Sequence, residues 1–157
     1  MAKLSAGIQK FFSDQGFVIV STVDKGGTIH CAAKGIVGIE AERIFLVDLY
    51  LAHTYANILV NPAVSVTAVD GHKFQGYTLK GKARVVEREK ISGHLMQAWE
   101  DRVIQRISQR MVRNIQEKKS GSHHPESTFP QLRYIMEIDV ESIVDLAPEH
   151  LKSQPSL

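Results

Sequence analysis

The hydrophobic positions of this chain follow two periods in turn. Residues 5–16, SAGIQKFFSDQG, put Ile8, Phe11 and Phe12 on one helical side behind Ser5, whose hydroxyl suits an N-cap. They end on Gly16, which suits a left-handed residue closing the helix. Residues 17–23, FVIVSTV, are rich in β-branched side chains and are followed by DKGG and then TIHCAAKGIVGI. Two extended runs around a glycine-containing turn predict a hairpin. RIFLVDL, residues 43–49, predicts a third strand, and a helix follows over about 53–60. Asn61-Pro62 stops that helix, because the residue before proline avoids helical geometry and Pro62 lacks a backbone donor. AVSVTAV, residues 63–69, is a nearly continuous small or apolar run, which predicts a strand buried on both faces. DGHKFQG turns the chain, and YTLKGKARVVE returns it with alternating polarity as a second hairpin.

From Arg88 to about Lys119 the period lengthens, with Ile91, Leu95, Trp99, Val103, Ile107, Met111 and Ile115 recurring every four residues. This predicts one bent helix or two, since Ser92 and Gly93 are weak helix formers near its start. KKSGSHHPESTFP, with two prolines and little apolar content, predicts a loop over about 120–131. The alternation of Tyr134, Met136, Ile138 and Val140 predicts a long last strand. Six strand-like runs, with a single helix placed between strands, argue for a mostly β fold. The expected architecture is a six-stranded antiparallel barrel with helices attached, including a helical insertion (about 89–119) before the last strand. A doubly wound sheet would need more crossovers.

At 157 residues, with 43% hydrophobic and 23% charged, the chain fits one globular domain over 1–157. A formal charge of +2 is too small to imply a nucleic-acid or membrane partner, and it does not repel a phosphorylated ligand. The single cysteine, Cys31, cannot form an internal disulfide, the start MAKLSAGIQKFF lacks a secretory apolar core, and no run approaches a membrane span. A cytoplasmic protein is expected.

The stretch FLVDLYLAHTYANI carries the candidate chemistry. A helix N-terminus leaves backbone N–H groups unpaired at the positive end of the dipole, so a helix starting at His53 and Thr54 offers an anion seat. An ordinary cap by Thr54 is the alternative. Lys34 sits in an otherwise apolar strand, which points either to a charged role in a cleft or to a solvent-facing position. Asp48, ending a strand, suits a turn cap or a ligand hydrogen bond equally. His30 and Cys31 are neighbours on a strand and point to opposite faces, so they make no nucleophile and base pair. Cys31 is expected to be a buried structural residue. His123 and His124 lie in a polar loop without the spacing of a metal site. Arg102, Arg106, Arg110, Arg113, Lys118 and Lys119 face only Glu100, Asp101 and Glu117, which reads as a solvated basic helix face or, alternatively, as a surface that gathers an anionic substrate or nucleic acid over a ligand cleft. Trp99 lies on the apolar stripe and is expected in the core or at a dimer interface.

A hairpin with AAKGIV on its second strand, then IFLVDL, AHTYANILVNPAVSVTAV, GYTLKGKARVVE and the closing YIMEIDVESIVDLAP resembles the FMN-binding split-barrel family related to pyridoxamine 5'-phosphate oxidase. The resemblance implies a six-stranded split β-barrel and an FMN whose phosphate is held by His53 and Thr54, with Asn57 supporting the ribityl and phosphate region. It also implies that Ala32, Ala33, Lys34 and Gly35, with Val47, Asp48 and Leu49, line the flavin ring. It further implies a homodimer with flavin at the subunit interface, Gln75 or Tyr77 reaching a flavin held mainly by the other subunit. The C-terminal tryptophan and arginine signature of the true oxidases is missing after Leu132, so that activity is not expected. The expectation is a flavin-dependent oxidoreductase acting on a small organic substrate or electron carrier. The alternatives are a non-catalytic FMN carrier or sensor, and the same barrel using a deazaflavin or haem.

Overall fold

The computed structural model describes residues 1–117 and 131–152. Its elements are α1 (Ala6–Ser13), β1 (Val18–Val23), β2 (Ile29–Ile39), β3 (Arg43–Asp48), α2 (His53–Val60), β4 (Ala63–Asp70), β5 (Gln75–Glu87), α3 (Gly93–Gln116) and β6 (Tyr134–Asp145). The six strands close an antiparallel barrel, as expected, and their order around it is β1-β2-β3-β6-β5-β4. The expected loop over 120–131 falls almost wholly outside the described residues, as do Lys118, Lys119, His123 and His124.

Ser5 caps α1 by accepting from the Ile8 N–H, but the helix does not need Gly16 in a left-handed conformation. It closes instead through Asp14 N–H to the Lys10 carbonyl, and the positive-φ glycine among the described residues is Gly27, at 81° in the β1–β2 turn. The Asp24 carboxylate fixes that turn by accepting from the N–H groups of Gly26 and Thr28.

Val18, Val20, Ile44, Leu46, Val66, Leu79, Met136, Ile138 and Val140 fill the barrel. β3 is buried along most of its length because its outer face, Phe45 and Val47, packs under Leu95, Met96 and Trp99 of α3. β4 departs from expectation: only Val64, Val66 and Ala68 are buried, and Ala63, Ser65, Thr67 and Val69 face outward. A helix covers β3 and none covers β4, so a run of small apolar residues did not by itself mean two buried faces.

α3 is one helix, preceded by a 3₁₀ turn at Arg88–Lys90, not two. Its apolar stripe meets the barrel only in the N-terminal half. Met111 is 52% exposed and Ile115 76%. Each four-residue step overshoots a helical turn by roughly 40°, so the stripe winds away from the sheet. Two arginines tie the helix down. Arg102 donates to the carbonyls of Ile36, Gln15 and Gly16, and Arg106 donates to Gly16 O at 2.5 Å. Ile36 stands at a bulge in the β2–β3 ladder, where Val37 is the extra residue, and Arg102 takes its carbonyl there.

Candidate functional site

β2 and β3 pair with Gly35 opposite Val47, and β3 and β6 pair with Asp48 opposite Tyr134. This register brings Lys34, Asp48 and Tyr134 together. Lys34 Nζ lies 2.7 Å from Asp48 Oδ2, and the Tyr134 hydroxyl donates to the same oxygen at 2.6 Å. The Tyr50 N–H donates to Asp48 Oδ1, so the turn-cap role of Asp48 is realised, while its other oxygen is taken by Lys34 and Tyr134. The Asp48 and Lys34 side chains are only 3% and 12% exposed, so Lys34 is a largely buried, paired side chain at the cleft wall and not a freely solvated one. Burial first, and then the hydrogen bond to Asp48, push the Tyr134 phenol far above its ordinary value, so it stays a proton donor in this contact.

A cleft of about 320 Å³ opens over this cluster. Ala33, Lys34, Gly35, Val47, Asp48 and Leu49 line it together, so six of the expected ring-lining residues share one wall. Ala32 sits on the opposite pleat of β2 from Ala33, half-buried behind that wall. The facing wall brings in the basic helix that the sequence offered, as its second reading, over the flavin cleft; Phe17 and Trp99 were not expected there. It is made by Trp99 and Arg106 of α3 with Phe17, and it places the lone tryptophan between the outer core and the cleft. Arg106 pairs with no carboxylate among the described residues. A larger cleft, about 660 Å³, lies beyond Tyr134 among Tyr55, Glu87, Arg88, Glu89 and Arg133. It is bordered mostly by exposed side chains of both signs, whereas the smaller one ends on a buried ion pair.

α2 begins at His53 as expected, but its N-cap is Ala52, which has no side-chain cap, so the first-turn N–H groups keep their need for a partner. Thr54 is therefore no N-cap. Its side chain turns inward with Asn57 and Ile58, is 2% exposed, and its hydroxyl has no hydrogen-bond partner among the described residues. Asn57 Nδ2 donates to Thr22 Oγ1 at 3.0 Å, which ties the helix to β1. The His53 ring is exposed and stands 5.2 Å from the His30 ring, centroid to centroid. His30 carried no signal of its own in the sequence beyond its place on β2.

Gln75 is exposed at the first position of β5, and Tyr77 turns into its own barrel, edge-on to Phe11 at 5.2 Å. Neither lines the cleft with Lys34. Cys31 corrects an expectation. It is exposed on the outer face of β2, with Sγ 3.3 Å from Ser21 Oγ, because the strand's inner positions go to His30, Ala32 and Lys34. No cluster of three or more metal-ligating side chains occurs among the described residues, and no helix there is long and apolar enough to cross a membrane.

No curated protein sequence matches the chain significantly. Solved structures match it as folds. Group A Streptococcus HupZ superposes with a TM-score of 0.64 at 16% identity, over 91% of this chain and 94% of that one. HutZ of Vibrio cholerae, described as a haem storage protein, does so with a TM-score of 0.55 at 20% identity, over 90% and 94%. A structure described as an F420 reductase gives a TM-score of 0.57 at 15% identity, over 90% and 98%. The sequence profile of the pyridoxamine 5'-phosphate oxidase family matches residues 4–145, nearly the whole barrel, and the chain belongs to that family.

Proposed function

We propose that this chain binds FMN, with the phosphate at the start of α2 and the ring in the cleft over Lys34, and acts as a flavin-dependent oxidoreductase on a small organic substrate or electron carrier. The observation that carries the reading is the Thr54 hydroxyl, buried and without a partner at an uncapped helix N-terminus. A buried polar group left unpaired is costly, and a phosphate oxygen would satisfy it together with the α2 N–H groups. His53 and His30 stand beside that point. Their strand supplies the distance as well: His30 and Lys34 share a face of β2 four residues apart, roughly 13 Å, comparable with an FMN from phosphate to ring.

Bound FMN would supply the hydride or electron chemistry itself. The chain's part is then to hold and orient. The backbone from Ala33 to Gly35 and from Val47 to Leu49 shapes the ring's bed, and Lys34 offers N–H donors to its acceptor atoms. A homodimer belongs to the same proposal. The outer face of β1, β2 and β4 presents Ile19, Ser21, Cys31, Ala33, Ser65 and Thr67, neighbours in the ladder without a charge among them, flanked by exposed Phe17, Ile29 and Val69. A second copy on that face would cover it, and Gln75 is free to act across the interface.

The test is the visible spectrum after incubation with FMN and ultrafiltration, with about one retained flavin per chain expected. His53→Ala with Thr54→Ala should weaken binding by about 2–3 kcal/mol, since two donors to a charged group are lost and their effects are not additive. Undiminished affinity in the double variant would remove the phosphate seat. The neighbouring His30 and His53 imidazoles, 5.2 Å apart and tilted to one another, favour haem as the second reading, and a Soret band in place of retained flavin would select it.

A further inference from the structure

The structure assigns one more site residue, on β6. We propose that Tyr134 is a positioning residue which, through Asp48, holds the Lys34 ammonium at the floor of the cleft with its remaining N–H donors free for the occupant. An ammonium has three N–H groups. Asp48 is the one acceptor within reach of Lys34 Nζ among the described residues, yet the side chain is only 12% exposed and borders the cleft. Unused donors on a largely buried ammonium at the cleft wall define what the cleft accepts: a ligand edge carrying oxygen or nitrogen lone pairs, or negative charge.

Asp48 can aim that ammonium only if its own carboxylate is fixed, and it is held at both oxygens. Oδ1 accepts from the Tyr50 N–H, and Oδ2 is shared between Lys34 and the Tyr134 hydroxyl. The Asp48 carbonyl accepts from the Arg133 N–H, and Asp48 and Tyr134 stand directly opposite in the β3–β6 ladder. Tyr134 is itself held, 1% exposed, with its ring edge-on to Tyr55 of α2 at 5.1 Å. The inward row of β6 is otherwise Met136, Ile138 and Val140. A phenol in that row does what a phenylalanine could not, which is to bring a donor to Oδ2.

That the occupant is FMN rests on the function proposed above; the positioning of Lys34 does not. The experiment therefore has two arms on Tyr134→Phe, which keeps the ring. In the ligand-free protein, acetylation of Lys34 by a water-soluble acylating ester is measured by peptide mass spectrometry against exposed Lys82. The ratio should rise about fivefold, the scale on which one net hydrogen bond moves an equilibrium. An unchanged ratio in a folded variant overturns the proposal. In the FMN-loaded protein, Lys34→Met should lower the midpoint potential of the bound flavin, because a cation near the ring favours its reduced, more negative form. Tyr134→Phe should move it the same way by less, whereas a purely structural role would leave the potential of the retained flavin unmoved. If the wild type retains no FMN, the functional reading falls while the acetylation arm still decides Tyr134. Should Tyr134→Phe fail to fold, NMR on the wild type and Lys34→Met takes its place. A slowly exchanging Tyr134 hydroxyl proton that shifts on loss of the ammonium supports a shared carboxylate, and one that does not shift refutes it.

Discussion

Replacing Asp48 with alanine is expected to destabilise the fold by about 3–5 kcal/mol, because it removes one partner of a buried ion pair and leaves the other behind. The Lys34 ammonium, 12% exposed, would lose the carboxylate 2.7 Å away, and the Tyr134 hydroxyl, in a position with no other acceptor among the described residues, would lose its acceptor too. The cleft beside Lys34 offers an escape toward water, which puts the outcome nearer the lower end of that range. Urea unfolding at constant m-value measures it directly. A loss below about 1 kcal/mol would mean that the pair behaves like a surface salt bridge, and that Lys34 reaches solvent in the native state. The variant carrying Lys34→Met as well as Asp48→Ala separates the two contributions. With no buried charge left to strand, it should recover most of the loss, as apolar replacements of buried pairs generally do.

The Lys34–Asp48 pair also shows how far the sequence reaches. A lysine in an apolar strand and an aspartate ending one were each conspicuous from their neighbours alone, and only the family resemblance implied that both line one cleft. The third member of the cluster was not conspicuous. Tyr134 reads as one more apolar position in an alternating strand, and its hydroxyl gains meaning only from a residue 86 positions earlier. The boundaries of α2 were legible because Asn61-Pro62 stops a helix through local sterics. The coverage of β4 and of the outer half of α3 was not, since periodicity reports which residues share a face and says nothing of what lies over it. Arg102 and Arg106 failed as signals for a related reason. A basic helix face looks solvated in sequence, and here two of its guanidinium groups find backbone carbonyls on β2 and the loop after α1. Burial, and then the Arg106 charge, push the Arg102 guanidinium below its ordinary value, the mark of a cation held by carbonyls without a carboxylate.

Gly81→Ala is expected to cost about 3 kcal/mol or more, and it would do so through β6. A Cβ at position 81 would stand 1.9 Å from the Asp139 carbonyl oxygen and 3.2 Å from Val140 Cα, both backbone atoms that no rotamer can move. The close approach follows from a bulge. β5 and β6 pair with Lys82 opposite Asp139 and Gly81 opposite Val140, but then Lys80 opposite Ser142, so Glu141 is the extra residue. The bulge reverses the parity of β6, which lets Val140 and Ile143, three positions apart, both face the barrel interior, Ile143 opposite Leu79. In an unbroken ladder Leu79 would face Ser142 instead, and the core would lose an apolar neighbour. Displacing Asp139 would also strain its contacts to Arg43 and Arg84, each at 2.7 Å, on the outer face of β3, β6 and β5. Gly71→Ala is the control, since nothing lies within 4 Å of its added Cβ. It should change the unfolding free energy by no more than about 0.5 kcal/mol, as surface substitutions usually do. A Gly81→Ala protein as stable as that control would show that the bulge can relocate along β6, and that the parity of the strand is set by its side chains and not by this glycine.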